Sequence, residues 1–278
     1  MTDDIVPRPD RRARLRGRLS LARDILYKTL RTIGQHANNF YTALGIYLVG
    51  GAAIAIACTA LFVQLAGHVQ SGATQAFDEA VMRWMGAHRI EWLEESLVEI
   101  TALGTGLVVM VVVAISALFL VATQHRFSAF LLLVATGGGI VLNSILKLQF
   151  GRPRPQLFEW LTDPSSSSFP SGHAMSSAIA YFTVAYLIAR LEKRRWMRAL
   201  TILISLMLVL LISVSRLYLG VHYPSDVAAG VVIGLAWAGF CLAGLEAVRV
   251  FGLRFRPRVL EQEEDLSTIE RASKGFDQ

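Results

Sequence analysis

Read as apolar and polar positions, the chain alternates long greasy runs with short polar breaks. Apolar stretches occupy residues 43–66, 102–123, 127–146, 173–190, 199–216 and 225–247, each close to the roughly twenty residues that carry an α-helix across the hydrocarbon core. The pattern predicts an all-α, polytopic membrane protein with six transmembrane helices, because backbone polar groups in lipid must be satisfied within the segment. The first run ends without a small-residue cleavage site, so it reads as a retained span with nothing removed. Between the first two runs, "ATQAFDEAVMRWMGAHRIEWLEESLVEI" (73–100) has Phe77, Val81, Trp84 and Met85 at helical spacing, with Asp78, Glu79 and Arg83 opposite. That spacing predicts one or two helices lying in the outer interface. Residues 147–172 hold four prolines and the run "SSSS" (165–168) and read as a loop. "TGGGI" (136–140), inside the third run, predicts a close helix contact.

Composition agrees with this pattern. Hydrophobic residues make up 54% of the chain and charged residues 17%, with a mean hydropathy of +0.48, which excludes an ordinary soluble domain. Orientation follows from the Lys and Arg residues: twenty-one flank one side of the six runs and six the other. Both termini are therefore expected in the cytoplasm. The domain reading is a basic cytoplasmic N-terminal arm (1–40), a six-span domain (41–248) and a cytoplasmic C-terminal tail (249–278), whose end "EQEEDLSTIERASKGFDQ" is too polar to fold alone. The arm's "RRARLRGRLSLAR" (11–23) is assigned to anionic lipid headgroups rather than to nucleic acid. Cys58 and Cys241 both lie in apolar runs, so neither suggests a disulfide or a zinc site. Nothing in the pattern specifies an oligomeric state.

Counting spans brings a set of polar residues to one membrane face. Lys147 and Arg154 follow the third run, Ser171, Gly172 and His173 precede the fourth, Ser215 and Arg216 close the fifth, and His222 and Asp226 open the sixth. Ionisable groups at membrane depth are costly and point to function. Fixed cations without a cluster of carboxylates suit an anionic guest, and guanidinium forks match phosphate oxygens. Asp226 is the only acid of the set, so no metal and no other cofactor is expected, and the cations neutralise developing charge. "PSG" (170–172) offers Ser171 as an N-cap and free backbone N–H groups at a positive helix end, itself an anion site. Asp226, four residues after His222, is placed to hold one ring nitrogen and leave the other facing phosphorus, which makes His222 the expected nucleophile. His173, without an acidic neighbour in sequence, is the expected general acid. Arg152 and Arg195 read as headgroup-facing charges only.

These residues resemble the three signature motifs of the type 2 phosphatidic acid phosphatase family, the PAP2/haloperoxidase superfamily. "KLQFGRPRP" (147–155) is similar to the family's Lys-x6-Arg-Pro, "PSGH" (170–173) to its Pro-Ser-Gly-His, and "SRLYLGVHYPSD" (215–226) to its Ser-Arg-x5-His-x3-Asp. The likeness covers about residues 75–245, including "FDEAVM" (77–82) and "ITALGTG" (100–106), and leaves out 1–40 and 250–278. It implies a phosphohistidine on His222 oriented by Asp226, protonation of the leaving group by His173, and phosphoryl binding by Lys147, Arg154, Ser171, Gly172 and Arg216. The expected activity is metal-independent hydrolysis of a lipid phosphate or diphosphate at the outer face of the cell (inner) membrane. Phosphatidate, phosphatidylglycerol phosphate, a polyprenyl diphosphate and a lipid A phosphate all fit. A lipid phosphotransferase with the same site, and a non-catalytic lipid-binding or transport protein, stay open as alternatives. A vanadium haloperoxidase shares the motifs, but six spans argue against one.

Overall fold

The computed structural model describes residues 40–162 and 166–254. Among these residues eight helices follow one another: α1 (Phe40–Gln70), α2 (Gln75–Ala87), α3 (Glu91–Ala102), α4 (Gly106–Ala122), α5 (Arg126–Phe150), α6 (Gly172–Leu191), α7 (Arg195–Tyr218) and α8 (Pro224–Arg254). No strand occurs among the described residues. By its contacts the chain divides into two units, parting between Tyr47 and Leu48. The basic stretch 11–23 and the polar segment 261–278 lie outside the described residues.

Among the described residues five helices are long and apolar enough to cross a membrane: Val49–Gln70 within α1, then α5, α6, α7, and Pro224–Gly244 within α8. The second expected span departs from a plain helix. It is a broken pair, α3 and α4, bent by 48°, and α4 alone has 17 residues, short of a crossing. The bend falls at Leu103–Thr105. Thr105 opens α4 as its N-cap, with Oγ1 accepting from the Val108 N–H, while Tyr181 on α6 donates its hydroxyl to the Leu103 carbonyl at 2.7 Å. Many large apolar side chains face outward, among them Ile56, Leu107 and Leu118, as expected where lipid rather than water is the surroundings.

Helix α6 is the hub. Ala174, Met175, Ser177, Ala178, Ile179 and Ala180 are all buried, so the helix is enclosed on every side near its start. Small residues let its neighbours approach. A Cβ on Gly230 would stand 2.6 Å from the Ser171 carbonyl oxygen, and one on Gly234 2.9 Å from that of Met175, so α8 rides directly on the α6 backbone. The glycines of "TGGGI" do the same on α5: Gly138 meets the Trp237 ring and Gly139 meets Ile179.

Helix α2 packs on the protein through Asp78 and Met82 rather than through its aromatic residues. Phe77 and Trp84 are exposed, whereas Asp78 is wholly buried beside Met82. The polar stripe faces the protein because Asp78 has partners there: it accepts from the Ser225 N–H at 3.0 Å, the Ser225 hydroxyl and Arg152 Nη2 at 2.8 Å. Two aromatic rings are left for the bilayer interface.

Candidate active site

The site is assembled at the ends of α5, α6, α7 and α8. Helix α5 ends at Gly151, whose φ of 55° turns the chain sharply at the C-cap. The following loop folds back over that end. The Ser167 hydroxyl donates to the Lys147 carbonyl at 2.9 Å, and the Ser168 N–H to the Arg152 carbonyl at 2.8 Å. Phe169, fully buried, anchors the return by stacking on Phe62 and meeting Phe150 edge-on at 4.9 Å. A cis peptide joins Phe169 to Pro170. The chain then enters α6 at Gly172.

A cavity of about 350 Å³ lies inside this turn, lined by Lys147, Arg154, Gly172, His173, Arg216 and His222 together with Thr101, Thr105, Thr162 and Ser166. Among the described residues three cations border it and no carboxylate does. Lys147 donates to Ser166 Oγ at 3.2 Å and to the Ser167 carbonyl. Arg154 is fixed by the carbonyls of Ser166 at 2.8 Å and Val221 at 2.6 Å. Arg216, 4% exposed, donates through Nη1 to Thr101 Oγ1 at 2.9 Å, while its buried Nε has no partner. His173 stands against Gly104 at the α3–α4 bend, where a Cβ would lie 3.2 Å from its Cδ2. Ser171 occupies the N-cap position of α6, yet its side chain makes no capping bond. Its Oγ is buried without a partner, and the residue is not among those lining the cavity.

His222 is 1% exposed. Its Nε2 lies 3.2 Å from Arg154 Nη1. A guanidinium only donates, so Nε2 is the accepting nitrogen and the ring proton sits on Nδ1. The expected direct hold by Asp226 is looser than the spacing suggested: Nδ1 and Asp226 Oδ2 are 3.7 Å apart, beyond a hydrogen bond. The Ser168 hydroxyl stands between them, donating to Asp226 Oδ2 and lying 3.4 Å from Nδ1, from which it accepts. Asp226 is itself held by the Tyr223 N–H at 2.9 Å and by Arg152.

This geometry has relatives. The model of the PAP2 superfamily matches residues 128–249. Phosphatidylglycerophosphatase B of Bacillus subtilis (strain 168) is 33% identical over 178 residues, which are 63% of this chain and 86% of that protein. Undecaprenyl-diphosphatase of Sulfolobus acidocaldarius is 31% identical over 140 residues, 49% of this chain and 63% of that one. Among solved structures, the crystal structure of a transmembrane PAP2 type phosphatidylglycerolphosphate phosphatase from Bacillus subtilis matches with a TM-score of 0.65 at 29% identity, over 73% of this chain and 98% of that chain. This chain belongs to the PAP2 superfamily. It is an integral membrane phosphatase of PAP2 type.

Two features of this PAP2 site escape sequence reasoning. Ser168 is one of four consecutive serines and nothing local distinguishes it. Arg152, read as a headgroup-facing charge, instead bridges two buried carboxylates: Nη1 meets Asp226 and Ser225 Oγ, the latter at 2.8 Å, and Nη2 meets Asp78 at 2.8 Å and Gln75 at 3.2 Å. Its guanidinium also lies over the Tyr223 ring, 4.3 Å from the centroid. The one available signal was Asp78, an acid next to Phe77 in an otherwise amphipathic helix.

Electrostatics follow from these contacts. Burial pushes His222 down to about 4, with Arg154 and Arg216 adding to the fall and Asp226 opposing it; the ring is therefore neutral at neutral pH. Burial also lowers Arg154, partly offset by Asp226. Arg152 goes the other way: burial alone would lower it, but Asp226 and Asp78 together raise it above its ordinary value. Among the described residues no group of three or more His, Cys, Asp or Glu side chains is placed to hold a metal ion.

Proposed function

We propose that this chain hydrolyses a lipid phosphate monoester or diphosphate, without metal, through a phosphohistidine on His222. The observation that carries the reading is the cavity bordered by the three cations Lys147, Arg154 and Arg216, with no carboxylate among the described residues that line it and with His222 Nε2 at its wall. One buried group on its lining, Arg216 Nε, has no partner among the described residues. Buried polar atoms rarely stay unpaired, and a phosphoryl oxygen would pair it.

The phosphate binds with its oxygens toward Lys147, Arg154, Arg216 and the first backbone N–H groups of α6 at Gly172 and His173, where the helix end adds positive potential. Arg154 transfers its Nη1 hydrogen bond from Nε2 to a phosphoryl oxygen, and the lone pair so released attacks phosphorus. As the N–P bond forms, the P–O bond to the lipid breaks. His173 in its protonated form gives the departing oxygen its proton. The imidazole gains positive charge, balanced by Asp226 through Ser168. Water then attacks the phosphohistidine, His173 takes its proton back, and inorganic phosphate leaves. Neutralisation by three fixed cations supplies what a metal would otherwise supply.

The substrate class rests on the lipid-phosphate names of the relatives and on the site's depth, where headgroup phosphates lie while tails stay in the bilayer. Phosphatidylglycerol phosphate is the first candidate, because the relative named for it is the one this chain covers to 86%. Sidedness rests on the Lys and Arg count, twenty-one against six, which puts both termini in the cytoplasm and the site on the outer face of the inner membrane. The test is release of inorganic phosphate from phosphatidylglycerol phosphate, phosphatidate and undecaprenyl diphosphate by detergent-purified protein in excess EDTA. Release from at least one, inhibition by vanadate, and a dead His222→Ala variant are expected. Activity that vanishes in EDTA and returns with Mg²⁺, or that survives in His222→Ala, overturns the proposal.

A further inference from the structure

We propose that Arg152, clamped between Asp78 of α2 and Asp226 of α8, is a positioning residue of the nucleophile, setting both the place and the effective charge of the carboxylate that serves His222. The inference rests on the reading of His222 as the attacking group, and it assigns work to an arginine and to a helix that the chemistry so far has not used.

The geometry is a two-ended fork. One guanidinium nitrogen meets Asp226 Oδ1 and the other meets Asp78 Oδ2. Ser225 closes the ring, with its hydroxyl accepting from Arg152 Nη1 and donating to Asp78 Oδ2. Both carboxylates are fully buried and the arginine side chain is 9% exposed. With Oδ1 taken by Arg152, Asp226 has only Oδ2 to offer toward Ser168 and His222, so the arginine fixes which oxygen faces the nucleophile. The pairing sums to two negative charges and one positive charge. One net negative charge is therefore left for a single demand, the positive charge that His222 acquires when it bonds to phosphorus.

That arithmetic explains why a second carboxylate is present. Without Asp78, Arg152 would be spent on Asp226 alone and the pair would face the phospho-imidazole as a neutral unit. Without Arg152, two carboxylates would lie uncompensated in a buried site. Among the described residues the other charged or titratable groups around His222 are Arg154, Arg216, Lys147 and His173, all lining the same cavity. None of them touches Asp78. Helix α2, whose exposed face carries Phe77 and Trp84, thus contributes a charge to the site as well as a surface to the bilayer interface.

The test uses charge arithmetic that a purely structural role cannot reproduce. The acidic limb of kcat/KM would be measured with a short-chain phosphatidate in detergent for the wild type, Arg152→Gln, Asp78→Asn and the double variant. The substrate titrates identically in all four. Arg152→Gln adds net negative charge near His222, which favours its protonated form, so the limb moves to higher pH by about one unit, the order expected for one charge at an effective dielectric of about 20. In Asp78→Asn, kcat falls about tenfold at unchanged KM. The double variant restores the net charge, so its limb returns toward that of the wild type and its kcat exceeds that of Asp78→Asn. A limb that stays put in Arg152→Gln, or a double variant no better than either single one, overturns the proposal. If Arg152→Gln fails to fold, Asp78→Asn and the double variant decide alone, and an unchanged kcat in Asp78→Asn refutes it. An active His222→Ala would instead remove the reading beneath it, so the two failures are told apart.

Discussion

Replacing His222 with asparagine should flatten the acid side of the protein's stability curve. The ring is buried and its pKa lies near 4, whereas an imidazole in the unfolded chain titrates near its ordinary 6.5. Between those values the unfolded chain holds a proton that the folded chain does not, so stability rises with pH across the window. The contribution is fully present above about 6.5 and is lost as pH falls through 4. At about 1.4 kcal/mol per pH unit, the interval corresponds to about 3 kcal/mol. Asparagine keeps a donor on the Ser168 side and cannot take up the proton. Thermal unfolding in a mild detergent at pH 7 and pH 4 measures the difference. Taking roughly 2–4 °C per kcal/mol for a chain of this size, the wild-type Tm should drop by about 6–12 °C more than that of the variant. Both proteins share the other titrating groups, so the subtraction isolates the one ring, as long as distant sites act independently. Parallel curves would mean that His222 is solvated or already protonated in the native state, and the neutral nucleophile would fall with it.

Three other outcomes are expected. His173→Ala should lose about a hundred- to ten-thousand-fold on a lipid alkyl phosphate and far less on p-nitrophenyl phosphate, whose leaving group needs no proton; equal losses at unchanged folding would make His173 a phosphate ligand instead. Ser168→Ala should lower kcat about tenfold, since the hydroxyl is what joins Asp226 to Nδ1; an unchanged kcat would show that Asp226 holds the ring directly. In a background lacking Cys58 and Cys241, Gln156→Cys should react with an impermeant thiol reagent in intact cells and Lys193→Cys should not, and the reverse labelling would invert the topology.

What could be read from the one-dimensional pattern was what one dimension encodes. The lengths of the apolar runs determine that the chain is a helical membrane protein, because each span must satisfy its own backbone. The span count then carries Lys147, Arg154, His173, Arg216 and His222 to one face, and the structure gathers these five around one cavity. The family motifs lie in short segments at helix ends, where sequence neighbours remain spatial neighbours.

The tertiary structure decided whatever depends on a distant partner. Helix α2 could be read as an amphipathic interfacial helix, but not what holds its polar face. That was decided by an acid that finds Ser225, 147 residues away, and Arg152, 74 residues away. The same holds for Arg152, whose charge looks like any other headgroup-facing arginine until two carboxylates from different helices close on it. It holds also for Ser168, picked out of four serines by Asp226, 58 residues away. Hydropathy is a property of each residue and survives in the sequence. A buried ion pair is a property of two residues, and only the fold brings them within reach, because the cost of burying either charge is met solely by the other.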